Sequence, residues 1–139
     1  MRFSRSKLTW ALLAALVLLV VGLTKFAALQ NRGPTEAADV AVTIDAPDEA
    51  QLYHANVPLA AGENTVLNAL RAAADRDGFT VRTQDYAGLG AMVVQIFSYH
   101  NDGPCGWVYE VNGVSGDRSA SLYHVSDGDA VHWFWACHG

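Results

Sequence analysis

A chain of 139 residues, 51% of them apolar, with a net charge of −5, has material for one small domain with a modest core. The charge is uneven: Arg2, Arg5, Lys7, Lys25 and Arg32 against Glu36 give residues 1–38 a net +4, whereas four arginines against thirteen acids give residues 39–139 a net −9. An acidic body of that kind is repelled by phosphate backbones and anionic lipid, which argues against nucleic-acid binding.

The first predicted element is a leader over residues 1–29. Leu8 to Leu23 is an unbroken apolar run of 16 residues preceded by three positive charges. At about 1.5 Å per residue the run reaches roughly 24 Å. Phe26 to Leu29, with Lys25 reaching for the interface, extend it towards the ~30 Å of a hydrocarbon core. This predicts an N-terminal transmembrane or signal helix. One alternative is a retained anchor that makes the membrane a partner; the other is a signal peptide removed after secretion. No small-x-small cleavage site directly follows the run, and the flanking charges favour an N-terminus left inside. Either route places the rest of the chain outside the cytoplasm, in the periplasm or at the cell surface.

Residues 30–38, "QNRGPTEAA", read as a linker, and residues 39–139 as the folded domain. Val40–Asp45 alternates as a strand does, and Gln51–Leu59 returns beside it as the second arm of a hairpin. One helix follows. Asn64 or Thr65 caps it, Val66, Leu67, Leu70, Ala73 and Ala74 form its apolar stripe, and Asp77-Gly78 ends it. Such a helix of about three turns needs a sheet to pack against. Phe79–Arg82 is a short strand. Ala91–Tyr99 is a longer one, apolar on both sides and therefore expected to be central and covered twice.

The stretch Gly106–Gly113, "GWVYEVNG", places Trp107, Tyr109 and Val111 on one face of a strand and stops on Asn112-Gly113, a pair suited to a tight reversal. Asp127-Gly128-Asp129 launches the last strand, Ala130–Trp135. Cys105 and Cys137 are the only cysteines, and in an oxidising compartment they are expected to pair. With the cysteines opposite one another in an antiparallel pair, Trp107 faces Trp135, Tyr109 faces Trp133 and Val111 faces Val131. A diagonal link between strand ends is the alternative.

Three pieces in order, Thr65–Leu70 ("TVLNAL"), Trp107–Gly113 and Asp127–Trp133, resemble the transcobalamin-like C-terminal domain family. The resemblance covers roughly residues 40–137. It implies an α+β, β-grasp-like mixed sheet packed on a single helix. It implies a binding module without catalytic residues, and it carries over cobalamin, a corrinoid, as a ligand. It implies no other cofactor. In the vitamin carriers the domain works with a large helical partner, which this chain does not contain.

The residues taken one by one lead to the same choice between scaffold and ligand site. His54, His100, His124, His132 and His138 show no metal-ligand spacing, so no metal site is expected. His124 and His132 are equidistant enough from the Asp127 turn to approach across it. Gly113–Asp117 ("GVSGD") falls short of a nucleophile elbow, and His100–Asp102 or His124–Asp127 are neighbours of a kind common on turns, so no enzyme is expected. What remains is an aromatic concentration: Tyr99, Trp107, Tyr109, Trp133, Phe134 and Trp135. These either fill a core under the linker or the Gly116–Ser121 loop, or meet a ligand. The occupant is a small molecule or, alternatively, an extracytoplasmic protein.

Overall fold

The computed structural model describes residues 14–16 and 36–139. The leader, apart from the helical residues Ala14–Leu16, and most of the linker lie outside the described residues. Among the described residues no helix is long and apolar enough to cross a membrane.

The domain runs β1 (Ala38–Asp45), β2 (Tyr53–Leu59), α1 (Val66–Asp77), β3 (Val81–Tyr86), β4 (Gly90–Ile96), β5 (Tyr99–His100), β6 (Cys105–Val111), β7 (Val114–Ser115) and β8 (Ala130–Cys137). Its strands form two sheets rather than the single sheet expected. The larger has the order β2-β1-β8-β6-β7, and the smaller β3-β4-β5. The larger sheet is mixed because β1 and β8 pair in parallel at its centre, while every other pair is antiparallel.

Helix α1 starts and stops as its sequence directs. The Thr65 hydroxyl accepts from Asn68 N–H at 3.2 Å, and Gly78, at φ 74°, donates its N–H to Ala74 C=O at 2.8 Å. Two further N–H groups of the first turn, on Val66 and Leu67, are taken up by the carbonyls of Tyr123 and Ala120. The buried stripe is Val66, Leu67, Ala69, Leu70, Ala73 and Ala74. It packs on the inner faces of β1 and β2, where Val40, Val42, Ile44 and Val57 are also buried. Each large side chain so buried contributes about 1.5–3 kcal/mol. At the other end of the helix, Tyr53 donates to Asp77 at 2.6 Å and Arg76 donates to Asn56 C=O at 2.8 Å. That contact, with Pro58, blunts the exposed edge of β2 against further strand pairing.

The β6–β8 register is the one expected from the cysteine positions: Cys105↔Cys137, Trp107↔Trp135, Tyr109↔Trp133 and Val111↔Val131. The disulfide closes it at one end. Asn112 and Gly113 both take positive φ, 52° and 79°, in the turn between β6 and β7.

Three expectations fail in the middle of the chain. The strand predicted at Phe79–Arg82 lies further on, at Val81–Tyr86. The continuous strand predicted over Ala91–Tyr99 is interrupted, because Phe97 takes φ 52° and turns the chain back into β5. Nor is β4 covered on both sides: Ala91 and Val93 are buried, whereas Met92 is exposed. A register shift opposite Arg82/Thr83 explains the misleading pattern. The extra residue flips the alternation, so Val93 and Ile96 are buried together.

Candidate functional site

Strand β7 covers only Glu110 and Val111 of β6, so among the described residues Gly106–Tyr109 has no strand neighbour on that side. Side chains and loops occupy the gap instead. Asn101 donates from Nδ2 to Val93 C=O at 3.1 Å and accepts from Trp107 N–H at 3.0 Å, bridging the two sheets. Gly106 lacks the Cβ that would overlap Asn101. The indole N–H of Trp107 donates to Tyr99 C=O at 2.9 Å.

The Gly116–Ser121 loop closes the other end. Tyr109 donates its hydroxyl to Arg118 C=O at 2.6 Å, and Gly116 lies so close to that ring that any Cβ would overlap it. Ser119 donates to Ala91 C=O at 2.6 Å, and Ser121 accepts from Ala91 N–H at 3.0 Å. Burial, with the neighbouring Tyr123 and Asp117, pushes the Tyr109 phenol up to about 12.

Beside these ties a cavity of about 940 Å³ remains. Its walls are Trp107, Tyr109 and Trp133 from the inner face of the sheet, Val108, Phe134 and Ala136 from the outer face, and Gly90–Val93 of β4. Its lining also includes Tyr86, Leu89 and Met92, which are 40%, 72% and 44% exposed. Among the described residues Arg118 supplies the lone guanidinium in the lining, and it is engaged with Asp117 at 2.9 Å. The Trp133 N–H is buried with no acceptor among the described residues.

The six aromatic residues singled out in the sequence are therefore divided. Trp107, Tyr109, Trp133 and Phe134 line the cavity. Trp135 packs edge-on against Trp107, and Tyr99 lies edge-on to the same ring with its hydroxyl bonded to Asp48. Trp107, Tyr109 and Trp133 also belong to the buried core, joined through ring contacts such as Tyr109–Trp133 at 5.3 Å. They act as scaffold and wall together. Leu89 and Met92 were not singled out by sequence reasoning. The Gly88/Gly90 turn beside them, where both glycines take positive φ, was the available signal.

The histidines do not converge. His124 lies against Asn64 C=O at the start of α1, while His132 sits between two carboxylates on the sheet, so the approach across the Asp127 turn does not form. Asp127 accepts instead from Asp39 N–H. Among the described residues no group of three or more His, Cys, Asp or Glu side chains is placed to hold a metal ion.

Fold and cavity thus define a disulfide-linked α+β domain with an aromatic, ligand-sized recess at an incomplete sheet edge. The chain belongs to the family described as domain of unknown function (DUF4430), which matches residues 63–136, just over half of its length. Among solved structures it is similar to haptocorrin in complex with Cbi, at 17% identity and a TM-score of 0.61, over 78% of this chain and 27% of haptocorrin. It is also similar to a candidate metal-binding protein from Ruminococcus gnavus ATCC 29149, at 15% identity and a TM-score of 0.54, over 73% of this chain and 99% of that one. These likenesses show a shared fold, loosely transcobalamin-like. The chain spans about a quarter of haptocorrin's length. No curated protein sequence matches it.

Proposed function

We propose that the domain is a non-enzymatic binding module that takes a ring-bearing small molecule into the recess beside β6. The observation that carries this reading is the cavity itself. About 940 Å³, walled by Trp107, Tyr109, Trp133 and Phe134, falls at the upper end of ordinary ligand sites. Flat aromatic walls favour a planar ligand through stacking and apolar burial. A corrinoid is the sharpest candidate, supported by the fold likeness to haptocorrin in complex with Cbi. The disulfide favours a working place outside the cytoplasm, reached through the leader with or without retention in the membrane.

The test is a visible-absorbance titration of the purified chain with cobalamin, with Met92→Asp and Leu89→Asp as rim variants. Both positions are exposed, so the variants should fold. Saturable binding at micromolar ligand, weakened at least about tenfold by Met92→Asp, supports the site; tenfold corresponds to ~1.4 kcal/mol. No spectral change with cobalamin removes the corrinoid, and no binding by haem or flavin either removes the small-molecule reading. The exposed trio Tyr86, Leu89 and Met92 then favours the second reading, in which the same rim docks an extracytoplasmic protein.

A further inference from the structure

The outer face of the larger sheet carries a polar row. In register across β2, β1, β8 and β6 stand His54, Thr43, His132 and Glu110, with Asp45 one step along β1. His132 occupies the middle strand. Its Nδ1 lies 2.9 Å from Glu110 Oε1 and its Nε2 lies 2.7 Å from Asp45 Oδ2.

The chemistry of these contacts is restrictive. A carboxylate accepts and does not donate, and a neutral imidazole has a single N–H. With both carboxyl groups ionised, both contacts are hydrogen bonds only when the ring carries a proton on each nitrogen. Asp45 is held in its ionised form by Gln51, whose N–H donates to Oδ1 at 2.7 Å, so it is not the source of the second proton. The remaining groups facing the ring do not compete. Thr43 is bonded to His54 Nδ1 at 2.9 Å, Phe134 lays its ring 5.1 Å away, and Ser115 on β7 stands opposite Glu110. None of these neighbours is a lysine or arginine.

We propose that His132 is a proton-operated clasp which, when doubly protonated, joins β1, β8 and β6 through Asp45 and Glu110, and which opens on deprotonation. Losing one proton leaves a nitrogen lone pair facing a carboxylate, so one of the two bonds becomes a repulsion. Burial disfavours the charged ring, but the bonds to Glu110 and Asp45 and their charges outweigh it, and the ring titrates above the ordinary histidine value of 6.5. The clasp therefore stabilises the fold fully below the unfolded value and loses that contribution as pH rises through the folded one. On the acid side, the Gln51 N–H and then the His132 contact, against some burial, hold Asp45 below 3.8, so its share is lost as pH falls through that lowered value. Phe134, packed on the His132 ring, is also part of the cavity wall, but the clasp needs no ligand.

The experiment is a nuclear magnetic resonance titration of the His132 ring in the full chain, from about pH 4 to pH 9, repeated with Glu110→Gln and Asp45→Asn. The midpoint should lie above 6.5, with both ring nitrogens protonated below it, and should move down in each variant. In parallel, the gap in Tm between the natural protein and His132→Gln should be wider at about pH 6 than at about pH 8.5. A midpoint at or below 6.5, a midpoint unmoved by the carboxylate variants, or a gap that does not change with pH would each overturn the clasp. Should Asp45→Asn fail to fold, Glu110→Gln decides alone.

Discussion

Removing the disulfide should cost the domain stability without changing its shape. Cys105 and Cys137 lie at the ends of β6 and β8, and neither is buried, so Cys105→Ser with Cys137→Ser leaves no core cavity. The register rests on other contacts as well, including Trp107–Trp135 at 5.5 Å and Tyr109–Trp133 at 5.3 Å. What is lost is the restriction on the unfolded chain. For a sequence separation of 32 residues the chain-entropy relation gives about 3.7 kcal/mol at room temperature. For a domain of roughly 100 residues that lowers Tm by about 15–20 °C. The assay is urea and thermal unfolding of the oxidised protein beside the double-serine variant, with the natural protein under reductant as a third sample. Variant and reduced protein should unfold together, with a steeper denaturant slope because their unfolded chains are more expanded. A loss below about 1 kcal/mol, or a variant that has lost its native spectrum, would refute the account in which the bond acts on the unfolded state.

Other perturbations test the local arguments. Thr65→Ala removes the acceptor for Asn68 N–H and should lower stability by about 1 kcal/mol in urea unfolding. Gly116→Ala forces a Cβ into the Tyr109 ring and should cost about 1–3 kcal/mol; an unchanged Tm would show that the loop yields freely. The Tyr109 phenol, pushed up to about 12, stays protonated in the fold after it would ionise in the unfolded chain. Stability should therefore fall as pH rises from the ordinary value of 10.0 towards 12, and Tyr109→Phe should weaken that dependence, which the raised Tyr53 and Tyr99 phenols share, and remove a late-titrating phenol from the ultraviolet absorbance. Asp77, held below 3.8 by the Tyr53 hydroxyl and then Arg76, should lose its contribution as pH falls through its lowered value, and Tyr53→Phe should shift its titration upward.

Much of the folded part was legible because it depends on neighbours in sequence. Local pattern placed α1, narrowed its cap to Asn64 or Thr65 and gave the Gly78 stop, and alternation with cysteine parity placed the whole β6–β8 register, since a period of two leaves no freedom once one pair is matched. The division into two sheets, the break at Phe97 and the shifted alternation in β4 were not legible. They depend on which strand lies beside β4, and a single bulged residue reverses the faces that a local pattern assigns.

The candidate site shows the same boundary. The sequence determined that aromatic residues would gather on β6 and β8, but the short reach of β7 and the placement of the Tyr86–Met92 hairpin turned four of them into a cavity wall. Likewise the β6–β8 register already sets Glu110 opposite His132, but Asp45 lies 87 positions from that histidine, and only the parallel pairing of β1 with β8 brings its carboxylate within bonding distance. Short-range order follows from backbone geometry and side-chain period. Contacts across strands far apart in the chain exist only once the sheet has chosen its neighbours.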